Sequence, residues 1–212
     1  MVKVKICGIT RPIDIEMARD ADYLGFVVAS KSRRNLEPEV AIDLMSTCKQ
    51  KKVMVTTLDD PIQVVKLAER IEPDVIQVHN LMGPEDLRFV TRKFPGDVWG
   101  LAPVGRGDEL QRADRIRKSV SAIVLDTKLD VTSEVYGGLG ISHDWEISRK
   151  VRDTLLPYPV ILAGGLSTDN IKKAIRTVRP FAVDVSSGVE EDGLKEPVLV
   201  RRFIRFSKEV RD

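Results

Sequence analysis

Two residues in this sequence stand where a proton could be taken and given back. Cys7 closes an apolar run in K-I-C-G-I-T, and Asp126 closes another in I-V-L-D-T. A thiol acts as a general base when its pKa falls from ~8.5 toward the working pH; the alternative for Cys7 is a buried structural cysteine. A carboxylate crowded by apolar neighbours is partly removed from water, which raises its pKa and lets it donate a proton. The alternative for Asp126 is an ion pair with a neighbour such as Lys128. Two further segments suit an anion: A-G-G-L-S at 163–167 and V-S-S-G-V-E at 185–190. Glycines let backbone amides approach a ligand, and serines add hydroxyl donors. Arg34, in K-S-R-R-N-L, could grip a carboxylate through two parallel bonds, with Arg33 or Arg34 left merely solvated. His79 and His143, the two histidines, lack metal-ligand spacing, so no metal is expected.

These residues need a frame. Eight short runs rich in Val and Ile recur along the chain, at 2–7, 23–28, 52–57, 75–79, 98–102, 122–127, 159–164 and 181–186. Such runs read as strands covered on both faces. Several end on a polar residue, namely Cys7, His79, Asp126 and Ser186. Between them lie segments of helical period. Ala41, Leu44, Met45 and Cys48 share one face, as do Ile171, Ala174, Ile175 and Val178, and Leu199, Phe203, Phe206 and Val210. That pattern makes Cys48 a core cysteine, in contrast to Cys7. Helix starts are expected at Thr10 or Arg11 before Pro12, and near Ser167 or Thr168. A longer Gly- and Ser-rich loop is expected between 127 and 144.

Eight strand–helix units predict an α/β fold, a single (β/α)8 (TIM) barrel domain over residues 1–212, in which the active site lies at the carboxyl ends of the strands. The A-G-G-L-S and V-S-S-G-V-E segments follow strands seven and eight, where such barrels commonly hold a phosphate.

Composition narrows the function classes. With 34 basic and 32 acidic residues the net charge is +2, which argues against a nucleic-acid partner. The short basic runs 31–34, 115–118 and 201–205 read as solvated faces. Two cysteines in 212 residues make no disulfide framework and suit a reducing cytoplasm. No signal-peptide pattern or apolar run of about 20 residues is visible, so neither secretion nor a membrane is expected.

In order along the chain stand V-K-I-C-G-I-T-R-P (4–12), K-S-R-R (31–34), I-Q-V-H (76–79), L-D-T (125–127), Y-G-G-L-G (136–140), H-D-W (143–145), L-A-G-G-L (162–166) and V-D-V-S-S-G-V-E (183–190). Together they resemble the phosphoribosylanthranilate isomerase family of tryptophan biosynthesis, from Val4 to about Glu190. The resemblance implies a cofactor-free Amadori rearrangement of N-(5′-phosphoribosyl)anthranilate to 1-(2-carboxyphenylamino)-1-deoxyribulose 5-phosphate. It implies Asp126 as general acid, Cys7 as general base and Arg34 on the anthranilate carboxylate. It also implies Gly164, Gly165, Ser186, Ser187 and Gly188 on the phosphate, and Asp184 orienting its neighbours. The implied partner is a small phosphoribosyl substrate, and the chain is expected to be a monomer or a homodimer.

This sequence departs from the family pattern at three places. Gln77-Val78-His79-Asn80 stands where many members have Q-L-H-G, V-M-V-T-T where many have a V-G-V-F-V-like third strand, and Arg33 where a proline often precedes the arginine. The related isomerase of histidine biosynthesis would want a carboxylate at position 7. A metal-dependent pentose-phosphate epimerase would want clustered histidines and acids. A catalytically silent phosphate binder would have no need of both Cys7 and Asp126.

Overall fold

The Val- and Ile-rich runs become eight parallel strands: Lys3–Cys7, Tyr23–Val28, Lys51–Thr56, Val75–Val78, Asp97–Val104, Ala122–Thr127, Val160–Leu162 and Ala182–Val185. They are taken from a computed structural model that describes residues 1–127 and 144–210. Each strand pairs with the next, and the first also pairs with the eighth, with Lys5 opposite Asp184. The sheet therefore closes on itself and leaves no barrel edge unpaired. The expected 127–144 loop, with Lys128, the Y-G-G-L-G segment and His143, lies outside the described residues.

Five helices begin on a proline: Pro12–Met17, Pro38–Ser46, Pro61–Ile71, Pro84–Lys93 and Pro197–Glu209. Proline suits the first helical position because its missing N–H has no partner there, and it holds the preceding residue extended. The other helices are Glu109–Arg117, Trp145–Leu155 and Ile171–Val178. Arg11 caps the first helix, its side chain and backbone both meeting Asp14. Asn170, not Ser167 or Thr168, is the residue before Ile171–Val178, and its side-chain oxygen accepts from the Ser167 N–H at 2.9 Å.

Three helix faces were expected in detail, and on the first Ala41, Leu44 and Met45 are buried. Ile171, Ala174, Ile175 and Val178 are all buried. On the last helix the buried face is Val200, Phe203, Ile204 and Ser207, rotated from the expected one. Leu199, Phe206 and Val210 flank it only partly buried, and Phe206 lies under the cations of Lys172, Arg202 and Arg205. The rotation is possible because Ser207 satisfies its own hydroxyl on the Phe203 carbonyl at 2.8 Å. A polar type hid a core position. Cys48 follows its helix half-buried, packed against the core, and its thiol is pushed up to about 11 by burial.

Alternation along the strands divides the apolar residues into two cores. Ile6, Leu24, Phe26, Met54, Ile76, Leu125 and Val183 pack outward against the helices. Tyr23, Val53, Val55, Val75, Trp99, Leu101, Ala122, Val124, Ile161 and Ala182 fill the interior. Tyr23 and Trp99 meet edge to face there, ring centres 5.1 Å apart. Following the inward positions toward the carboxyl ends, apolar types give way to polar ones: Ala122, Val124, Asp126; Val75, Gln77, His79; Ala182, Asp184, Ser186. The barrel is plugged below and polar at its mouth, the arrangement that positions a site.

Candidate active site

One open cleft occupies that mouth. It is lined by Cys7, Arg34, Asp126, Gly164, Gly165, Asp184, Ser186, Ser187 and Gly188, the full set singled out in the sequence. Residues from the first, second, sixth, seventh and eighth strand ends thus meet around one cleft.

Cys7 is 9% exposed at the end of the first strand. Gly8 follows at φ +78°, and the stem of Arg34 crosses the place where a side chain at Gly8 would stand. Burial pushes the Cys7 thiol up, with Lys5 the strongest opposing influence and Asp184 adding to the rise. Asp126 is held by the Thr127 N–H at 2.7 Å on one oxygen, with the His79 Nε2 at 3.8 Å from the other. Burial raises its carboxyl above the ordinary range, His79 opposes, and Asp184 reinforces the rise. A carboxyl so placed keeps its proton to higher pH than a solvated one.

The glycines have steric reasons. A side chain on Gly164, at φ +83°, would run into Thr127 and stand 2.8 Å from an Asp126 oxygen. One on Gly188 would run into the Leu166 carbonyl. The seventh and eighth strand ends therefore approach each other, and the Asp126 carboxylate, only because no Cβ intervenes. Ser186 donates its hydroxyl to the Cys7 carbonyl at 3.1 Å, tying the eighth strand end to the first.

The second-strand loop places its two arginines differently. Arg34 lines the cleft, whereas Arg33 has a side chain 62% exposed and lies off it. Arg34 also has a partner that the sequence reading did not foresee. Its Nε and Nη2 donate to the two oxygens of Glu190 at 2.8 and 2.6 Å. Lys195 Nζ reaches the same carboxylate at 2.6 Å and the Ser186 carbonyl at 3.1 Å. Arg33 adds a bond at 2.9 Å. Burial alone would raise Glu190, but the Arg34 bonds and Lys195 prevail and hold its carboxyl at about 2. Glu190 and Lys195 belong to a small hairpin, Glu190–Glu191 with Leu194–Lys195, that no strand pattern announced.

Lys5 was also overlooked. It is completely buried, and its Nζ donates to Asp184 Oδ2 at 2.7 Å. The available signal was period-two alternation, which puts Lys5 on the same inward face as Cys7. Asp184 Oδ1 has no partner within the described residues and borders the cleft.

Fold and site together define a (β/α)8 barrel with a thiol, a carboxyl and glycine-lined strand ends around one cleft at its carboxyl face. Residues 4–205 match the family described as N-(5′-phosphoribosyl)anthranilate (PRA) isomerase, and the chain belongs to that family. It is 38% identical over 215 residues to the N-(5′-phosphoribosyl)anthranilate isomerase of Thermoanaerobacter sp. (strain X514), covering 100% of both chains. Among solved structures it resembles monomers generated from the dimeric enzyme of Thermotoga maritima, at 33% identity and TM-score 0.85 over 99% of this chain and 100% of that one. It also resembles a phosphoribosylanthranilate isomerase in complex with reduced 1-(o-carboxyphenylamino)-1-deoxyribulose 5-phosphate, at 31% identity and TM-score 0.84, again over 99% and 100%.

Proposed function

We propose that this protein converts N-(5′-phosphoribosyl)anthranilate to 1-(2-carboxyphenylamino)-1-deoxyribulose 5-phosphate, the isomerisation its family is named for, in a single barrel domain. The observation that carries the mechanism is the shared cleft, in which a buried thiol and a carboxyl whose pKa burial raises line the same walls. Asp126 protonates the furanose ring oxygen, the C1–O bond breaks, and the anilino nitrogen's electrons form the iminium. Cys7 as thiolate then removes the proton from C2, and the C2–H electrons neutralise the iminium to give an enolamine. Tautomerisation of that enolamine yields the ketone. Burial raises both groups, which suits Asp126 as the acid, while Lys5 is the strongest influence opposing the rise at Cys7, the base.

The substrate's two anionic groups match two sets of residues that line the cleft. The phosphate fits the backbone and hydroxyls of Gly164, Gly165, Ser186, Ser187 and Gly188. The anthranilate carboxylate fits the Nη1 side of Arg34, because Glu190 already occupies Nε and Nη2. Asp184, with one oxygen unpaired, faces the sugar between them. Acid–base chemistry completes the reaction, so no cofactor is required, and we place the enzyme in the cytoplasm as a monomer or homodimer. Among the described residues no helix is long and apolar enough to cross a membrane. The test generates substrate from anthranilate and phosphoribosyl pyrophosphate with a transferase, adds this protein, and follows substrate loss with and without a chelator. Loss unaffected by chelation is expected. Tight binding of a product analogue without turnover would refute the assignment and leave a silent phosphate binder.

A further inference from the structure

A lysine is almost never fully buried, and one that is needs a partner. Lys5 has one in Asp184, at 2.7 Å, yet a buried ion pair of this kind is poor evidence for stability, since apolar replacements often do as well. Its position points to another use. Lys5 precedes Cys7 by two residues on the same strand, so both side chains face the barrel interior. Gly25 on the second strand stands directly opposite Cys7. A side chain there would begin 2.8 Å from the Cys7 sulfur and 3.0 Å from the Lys5 Cε. The absent side chain leaves the space in which the lysine stem passes beside the thiol.

We propose that Lys5 is a positioning residue for the reaction proposed above: its ammonium, fixed by Asp184, lies beneath the Cys7 sulfur and stabilises the thiolate that accepts the proton. The inference rests on that reading of Cys7. The charged groups facing the sulfur are Lys5 from its own strand, Asp184 from the eighth, Arg34 from the loop after the second, and Lys195 from the hairpin. Arg34 and Lys195 share the single counter-charge of Glu190, which offsets their influence only in part. Lys5 exceeds both Lys195 and the opposing Asp184 in its influence on the thiol. Asp184 thus has two tasks, to hold the ammonium in place and to keep it charged in a buried site.

The test reads the thiol itself and needs no substrate. Cys7 and Cys48 are the two cysteines, and Cys48 lies outside the cleft, so C48S leaves Cys7 as the single thiol. In that background the alkylation rate of Cys7 by iodoacetamide is followed against pH for the parent, K5M and K5M/D184N. The midpoint of each profile reports thiolate formation independently of access. K5M should move it to higher pH, with alkylation below the midpoint slower by on the order of tenfold, one pKa unit. K5M/D184N should shift it the same way by less, since Asp184 opposes Lys5. The double variant replaces an ion pair with a neutral pair of similar shape, so it answers the question if K5M alone fails to fold. A natively folded K5M/D184N with the parent's midpoint overturns the proposal. An active isomerase with that result would keep the proposed function and lose only the role of Lys5. A shifted midpoint in a protein without isomerase activity would do the reverse.

Discussion

Replacing Glu190 by Gln tests whether charge, and not shape alone, organises the arginine end of the cleft. Glu190 has a side chain 4% exposed, and its carboxyl is lowered from 4.5 to about 2 because Arg34 and Lys195 outweigh burial, which alone would raise it. At ~1.4 kcal/mol per pH unit, that lowering corresponds to ~3 kcal/mol of folding stability. Glutamine keeps the length and one oxygen acceptor but leaves Arg34 and Lys195 without their buried counter-charge. The folded-state pKa lies below the unfolded one. The stabilisation is therefore complete above about pH 4.5 and is lost as pH falls toward about 2. Urea unfolding at a series of pH values should show Glu190→Gln less stable by ~3 kcal/mol at neutral pH, with the gap narrowing below about pH 4.5. For a domain of this size the neutral-pH loss would lower Tm by roughly 6–12 °C. Affinity for a product analogue should fall as well, because the Nη1 side of Arg34 is aimed by the bonds on its other edge. A gap that stayed constant down to low pH would mean that Glu190 contributes by packing, and the charge argument would be wrong.

Three further outcomes are expected. Asp126→Asn and Cys7→Ala should each lower kcat by ~10² to 10⁴-fold with product-analogue affinity nearly intact; near-normal turnover in either variant removes that residue from the proton transfers. Arg34→Ala should raise KM by an amount corresponding to roughly 1.5–3 kcal/mol while Arg33→Ala leaves it little changed, and steady-state kinetics on the pair would expose an inverted assignment. Gly188→Ala places a methyl group against the Leu166 carbonyl, so it should cost about 1–3 kcal/mol in unfolding experiments and weaken phosphate-dependent binding.

Local pattern carried much of this protein. Strand period and strand length are properties of neighbouring residues, so the eight runs were legible within a residue or two at most ends, and their number implied closure. Cys7, Asp126 and Ser186 were legible for the same reason, since a polar residue ending an apolar strand must leave the core at the barrel mouth. Where one helix face was misplaced, the error was local too: the last helix buries Val200, Ile204 and Ser207, which the expected face left out. What sequence could not supply was the partnership of distant residues. Lys5 and Asp184 are 179 positions apart and become neighbours only when the first strand pairs with the eighth. Arg34 and Glu190, 156 apart, meet because two loops fold over the same mouth. That Arg34 lines the cleft while Arg33 stays exposed likewise waited on how the loop folds. Charge pairing across a closed barrel depends on register and distance between strands remote in sequence, and those are set by the packing of the whole sheet rather than by any segment of it.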